Sequence, residues 1–259
     1  SGEITVEKQM ATVKNVIGVL EGSGPQADET IVLGAHYDHL GYGGEDSLAP
    51  GSREIHNGAD DNASGTTGIM ELGRRLAHRE KPFARRVVFM TFTGEERGLV
   101  GSNHYVEHPI FPLKQTVAMI NLDMVGRLRN DKLIVEGTGT ATEFKPLVES
   151  LNSGRHFDLR PIARGTGPSD QTSFYQKEIP VLFFWTDYHP DYHKPSDDWD
   201  KISIEGLDRV ISMVESVTVS LASADTRPTF VKVAEPVAKT DPTAGDRPWL
   251  GSIPAFGEE

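Results

Sequence analysis

Six short runs dense in β-branched and aromatic residues, Val13–Leu20, Ile31–Ala35, Val87–Phe92, Val117–Leu122, Leu133–Val135 and Val181–Trp185, punctuate the chain. Each is too short for a helix with an apolar face and reads as a strand, several of them apolar throughout, as in strands buried on both sides. Helical spacing fills the gaps. Ile69, Met70, Leu72, Leu76 and Ala77 follow Ser64, a residue type that caps helices, and Phe144, Leu147, Val148 and Leu151 repeat the pattern. Leu207, Val210, Ile211, Val214, Val217 and Leu221 form a longer stripe behind Ser203. Strands alternating with helices predict an α/β sandwich, in which loops at the carboxyl ends of the strands collect functional groups.

Composition narrows the chemistry. With 26 Lys+Arg against 38 Asp+Glu the formal charge is −12, which argues against nucleic acid as a partner. No apolar run approaches the roughly 18 residues of a membrane span. The chain has no cysteine, so any metal must be held by His, Asp and Glu. The 259 residues suit one large domain or two small ones. From Asp225 onward prolines accumulate and periodicity is lost, which predicts a domain over 1–224 and a linker or tail over 225–259. The glycine-rich stretch Gly41–Asn57 is long for a connection in a compact domain and is expected to be functional or mobile.

The strand ends carry the candidates. His36-Tyr37-Asp38-His39 follows the second run, Asp60-Asp61-Asn62 precedes the first helix and Glu95-Glu96 follows the third run. Asn121-Leu122-Asp123 closes the fourth, and His189 to Asp198 follows the last. Any one of these reads equally as a cap or a solvated turn. Several carboxylates converging beside a buried sheet, however, call for a cation, since unpaired charge there is costly. Two imidazoles and several carboxylates can hold two divalent ions with one carboxylate shared. Other chemistries lack their signatures: there is no H-E-x-x-H, no G-x-S-x-G and no phosphate-binding loop. Adjacent carboxylates such as Glu95-Glu96 point apart in an extended stretch and do not flank one glycosidic bond.

Five segments in order, Gly34-Ala35-His36-Tyr37-Asp38, Asn57 through Gly65, Phe92 through Ser102, Asn121 through Met124, and Tyr192 through Asp197, together resemble the M28 family of zinc aminopeptidases. The resemblance spans about Val13 to Leu221. It implies a three-layer fold with a mixed, mostly parallel central sheet and helices on both faces. It also implies two zinc ions per chain: His36 and Asp123 on one, Glu96 and His193 on the other, Asp60 bridging, with a cis peptide between Asp60 and Asp61. Glu95 would be the general base that takes a proton from the attacking water, and Asp38 the acceptor that fixes the His36 tautomer. Thr166, Ser169 and Asp170 would border the substrate, a peptide with a free N-terminus. Relatives often carry Tyr at the position of Thr166 and His at that of Gln171, so the oxyanion donor is altered here.

Other groups read as structural or exposed. His39, His56, His78, His104, His108, His156 and His189 are expected at the surface, in loops or in supporting roles, His189 being the most open because it precedes His193 by four residues. Arg74-Arg75 is expected on a solvated helix face and Arg85-Arg86 at a strand entry, while Trp185 and Tyr188 suit either core or substrate pocket. Bacterial multidomain members of the family carry a protease-associated domain and a PDZ-type domain. The segment Gly251–Glu259 resembles the approach to a PDZ-type domain, so the chain reads as a catalytic domain without its flanking partners, of periplasmic, envelope or secreted origin. Two alternatives remain: a glutaminyl cyclase with one zinc on a similar fold, and a non-catalytic binding module.

Overall fold

A computed structural model describes residues 10–234. The strands are β1 (Val16–Leu20), β2 (Thr30–His36), β3 (Arg86–Phe92), β4 (Thr116–Leu122), β5 (Lys132–Glu136), β6 (Asp158–Pro161) and β7 (Val181–Trp185). The helices are α1 (Gly65–Ala77), α2 (Val100–Glu107), α3 (Phe144–Asn152), α4 (Gln171–Tyr175) and α5 (Ile204–Ser223). The strands form one sheet in the order β1-β3-β2-β4-β7-β5-β6. Its centre, β3, β2, β4 and β7, is parallel throughout. β1 joins β3 and β5 joins β7 antiparallel, which makes the sheet mixed.

Strand pleat explains how uninterrupted apolar runs serve two cores. Ile31, Leu33 and Ala35 face one side, where they pack with Leu72 and Leu76 of α1, Phe144 and Val148 of α3, and Val210 and Val214 of α5. Val32 points the other way and joins Val88, Met90 and Met119 against Tyr105 and Val106 of α2 and Phe174 of α4. Helices therefore cover both faces, as the resemblance implied. The parallel centre aligns the carboxyl ends of four strands along one edge, so His36, Thr93 to Glu96, Asp123 and the loop after Trp185 leave the sheet side by side. None of the helices among the described residues is long and apolar enough to cross a membrane.

Several local expectations change. β6 was not foreseen, because Asp158-Leu159-Arg160-Pro161 has no apolar run; as a mostly exposed edge strand it needs none. Ser203 caps α5 by accepting from Gly206 N at 3.2 Å, but Ser64 does not cap α1. Its backbone is already helical and its hydroxyl donates to Asp60 O, while Asn62 Oδ1 accepts from Gly65 N at 2.9 Å. Arg85 is fully buried, donating to Leu221 O and Ala224 O at 2.6 and 2.7 Å and to Glu29 at 2.6 Å. Residues 225–234, read as the start of a tail, bond to the domain: Arg227 to Glu29, Thr229 to Glu143 and Val231 N to Thr140 O. Residues 235–259, including the segment compared with a PDZ-type approach, lie outside the described residues.

Candidate metal centre

Two sets of donor atoms meet at this edge, and one carboxylate belongs to both. His36 Nε2 lies 3.3 Å from Asp61 Oδ1 and 3.4 Å from Asp123 Oδ1. His193 Nε2 lies 3.2 Å from Asp61 Oδ2 and 3.4 Å from Glu96 Oε2. Asp61 thus turns one oxygen to each imidazole. Ligand-capable atoms of His36, Asp61 and Glu96, and of His36, Glu95 and Asp123, also fall within 4.8 Å of one another.

The shared carboxylate is a correction. Asp60, expected to bridge, faces away: its Oδ1 accepts from Gly126 N at 2.6 Å and its Oδ2 lies 3.2 Å from His189. The reason is local. Successive side chains in this irregular turn diverge, and Asp61 has non-helical dihedrals that aim it into the cleft. The cis peptide is likewise one residue later than expected, between Asp61 and Asn62. The turn is entered through Gly58 at φ 61°, where a Cβ would collide with Asp61 O and the His39 ring, so glycine is required.

Each imidazole is oriented from behind by a main-chain carbonyl. His36 Nδ1 is 3.1 Å from Asp38 O, and His193 Nδ1 is 2.7 Å from Asp46 O. A carbonyl only accepts, so Nδ1 carries the proton and the Nε2 lone pair is left for a cation. The Asp38 carboxylate, expected to take this proton, is 3.8 Å from it and instead accepts from Glu95 N at 3.1 Å. The long glycine-rich loop packs here: Leu48 N donates to His193 O at 3.0 Å, and buried His56 is 2.7 Å from Ser47 Oγ.

The balance of charge is negative. Among the described residues, the basic side chains within 4 Å of the carboxylates of Asp61, Glu96 and Asp123 are all imidazoles. Burial disfavours charged His193, but hydrogen bonds to Asp61 and Glu96 and their charges prevail and lift its pKa to about 10. Burial pushes Glu95 well above the carboxylate range; His36 pulls it back, while Asp123, Asp170 and Glu96 push further. Buried Asp123 Oδ1 has no hydrogen-bond partner. Such a site is completed by positive charge.

Of the three residues expected to border substrate, two are buried. Ser169, buried, donates to Asp123 Oδ2 at 2.8 Å and accepts from Asn121 Nδ2 at 2.9 Å, so it holds a candidate ligand. Asp170 is fully enclosed, and burial raises its carboxyl to about 7 against the pull of His36. Thr166 is half-buried. Gln171, where relatives often have His, accepts from Asn121 Nδ2 at 3.1 Å. His39 was given only a supporting reading, yet its Nδ1 is 2.7 Å from Glu96 Oε1. Buried His189 and Asp197 were not singled out as functional. Trp185 stacks on Phe183 and meets Tyr188 edge-on, continuing through Tyr192 to His193.

Comparison with known proteins finds relatives over most of the chain. Aminopeptidase YwaD of Bacillus subtilis is 28% identical over 253 residues, 89% of this chain and 52% of that protein. The solved aminopeptidase from Aneurinibacillus sp. strain AM-1 superposes with a TM-score of 0.64 at 31% identity, over 86% of this chain and 50% of that one. BSAP, a zinc aminopeptidase from Bacillus subtilis, gives 0.67 at 28% identity, over 82% and 50%. The chain thus spans about half the length of these relatives. The family description "Peptidase family M28" matches residues 15–218, and the chain belongs to that family.

Proposed function

We propose that this chain is the catalytic unit of a zinc aminopeptidase that hydrolyses the N-terminal peptide bond, with two zinc ions shared through Asp61. The observation that carries the reading is the division of the Asp61 oxygens between two donor sets. Ligand atoms about 2.0–2.1 Å from a tetrahedral zinc lie about 3.3 Å from one another. The four imidazole–carboxylate separations, 3.2 to 3.4 Å, match that spacing. His36, Asp61 and Asp123 would hold one ion, and Asp61, Glu96 and His193 the other. Their names as zinc or leucine aminopeptidases and as a zinc metalloprotease make relatives consistent with that choice of metal.

Bound zinc would supply Lewis acidity that polarises the scissile carbonyl and makes water more acidic. The protein supplies the proton path. Among the described residues Glu95 makes no ion pair with a cationic side chain, and its backbone is fixed by the Asp38 carboxylate through Glu95 N. A carboxylate with a raised affinity for protons is suited to taking one from the attacking water and delivering it to the departing amine. Asp38 positions that base, and Ser169 positions Asp123. Thr166, exposed enough to meet substrate, is the candidate hydroxyl donor to the oxyanion in place of a tyrosine. The substrates are peptides with a free N-terminus, and an exported location suits such an enzyme.

Elemental analysis together with a panel of aminoacyl chromogenic substrates tests the reading. Two zinc ions per chain, with hydrolysis abolished by chelation and restored by zinc, is the expected result. One ion with cyclisation of N-terminal glutamine, or metal without turnover, would overturn it.

A further inference from the structure

Beneath the turn that carries Asp61 lies a buried polar knot outside both donor sets. Asp197 Oδ2 accepts the main-chain N–H of Asp60 at 2.9 Å and of Asp61 at 3.1 Å. Its Oδ1 faces Arg127 Nη1 at 3.8 Å and His189 Nε2 at 4.0 Å. His189 Nε2 in turn lies 3.2 Å from Asp60 Oδ2, and Arg127 Nη2 donates to Asp191 Oδ2 at 3.0 Å. The side chains of Asp60, His189 and Asp197 are fully buried.

The knot ties together three of the five segments that would deliver ligands. The turn bearing Asp61 is gripped through two of its amides. The loop after Asp123 enters through Gly126, which donates to Asp60, and through Arg127. The loop bearing His193 contributes His189, Asp191 and Asp197. A carboxylate that accepts two successive amides fixes the orientation of the intervening peptide, and thus the direction in which Asp61 leaves the backbone. Asparagine could not reproduce this arrangement without loss. Its amide offers one neutral oxygen to two donors and turns an N–H2 group toward Arg127 and His189, which at Arg127 sets donor against donor.

We propose that Asp197, supported by Arg127 and His189, is a positioning residue that aims the Asp61 carboxylate and so sets the affinity of the shared metal site. The inference rests on the two-zinc reading above. Metal-free protein, wild type and Asp197→Asn, is titrated with zinc against a chromophoric chelator, and its melting temperature is measured without metal. Supporting-layer substitutions at metal sites typically weaken affinity by about 10–100-fold. The expected result is a loss of at least about tenfold in zinc affinity, with turnover that falls at limiting zinc and recovers in excess. A lower metal-free melting temperature with unchanged zinc affinity would assign Asp197 a purely structural role and overturn the proposal, as would wild-type affinity with no change in melting.

Should Asp197→Asn fail to fold, Arg127→Lys and His189→Asn decide the matter by the same titration, since they leave the carboxylate in place and remove its support. Weakened zinc binding in either supports the proposal, and unchanged binding in both overturns it. Wild-type protein that binds fewer than two zinc ions would instead overturn the underlying two-zinc reading, a failure visible before any variant is made.

Discussion

Asp60 and Asp61 are chemically identical neighbours with opposite surroundings, and substitution should separate them sharply. Asp61→Ala removes an oxygen from each donor set, so at most one zinc is expected to survive gel filtration in zinc-free buffer. Asp60→Asn keeps the Gly126 contact through its amide oxygen and should retain two. Equal metal content in the two variants would return the bridge to doubt. Glu95→Gln is expected to keep both ions while turnover falls by about 10²–10⁴, the usual contribution of a general base; near-normal kcat would remove Glu95 from that role. The sequence announced both pairs of acidic residues, and the resemblance ranked each, with Glu96 as ligand and Glu95 as base but with Asp60 rather than Asp61 as the bridge. A tandem Asp-Asp shows that a carboxylate is needed, whereas the turn's dihedrals choose which one faces the cleft. Asp197 and His189 were hidden for a related reason. Their partners are main-chain amides and a carboxylate more than 120 positions away, and no local spacing records such contacts.

At the scale of elements, long apolar runs and helical stripes made β2, β3, β4, β7, α1 and α5 legible, because burial on both faces leaves little freedom in residue type. Edge and connecting pieces carried weaker patterns. β6 exposes most of its residues, and the strand-entry position expected for Arg85 carried no sign of its burial, since a charge there is normally exposed. In the fold, Arg85 instead joins the start of β3 to the end of α5, and Glu29 pairs with it at 2.6 Å while also taking Arg227 at 2.8 Å. Glu29→Gln should therefore destabilise the protein by about 2–3 kcal/mol, between the values for an exposed and a buried pair. Burial raises the Glu29 pKa, but hydrogen bonds from Arg227 and Arg85 outweigh it, and the net shift is below 4.5. A depressed folded value contributes stability above the unfolded pKa and loses it as pH falls through the folded one. Urea unfolding should show the full difference between wild type and variant at neutral pH and a smaller one near pH 3; a constant difference would deny the ion pair its role.

For the molecule as a whole, the proposed metal centre should couple stability to pH in a direction that depends on zinc. In the metal-free protein, burial opposes the charged forms of His36 and His193. For His36 the Asp123 charge leads the opposing effects, and for His193 the hydrogen bonds to Asp61 and Glu96 do; both pKa values rise, that of His193 to about 10. Groups with raised folded values contribute stability that is complete below the unfolded value, 6.5 for histidine, and lost as pH climbs through the folded one. Metal-free protein should accordingly lose stability between about pH 6.5 and pH 10 as the imidazoles surrender the protons that offset nearby carboxylates. Zinc needs those same imidazoles deprotonated at Nε2, so raising the pH removes a competitor for the metal. Saturating zinc should raise the melting temperature at every pH in this range, and the increment should grow from about pH 6 to about pH 8. Differential scanning calorimetry with and without zinc measures both curves. An increment that shrinks with pH would mean that the ion does not displace protons from these histidines, and the donor sets assigned here would have to be abandoned.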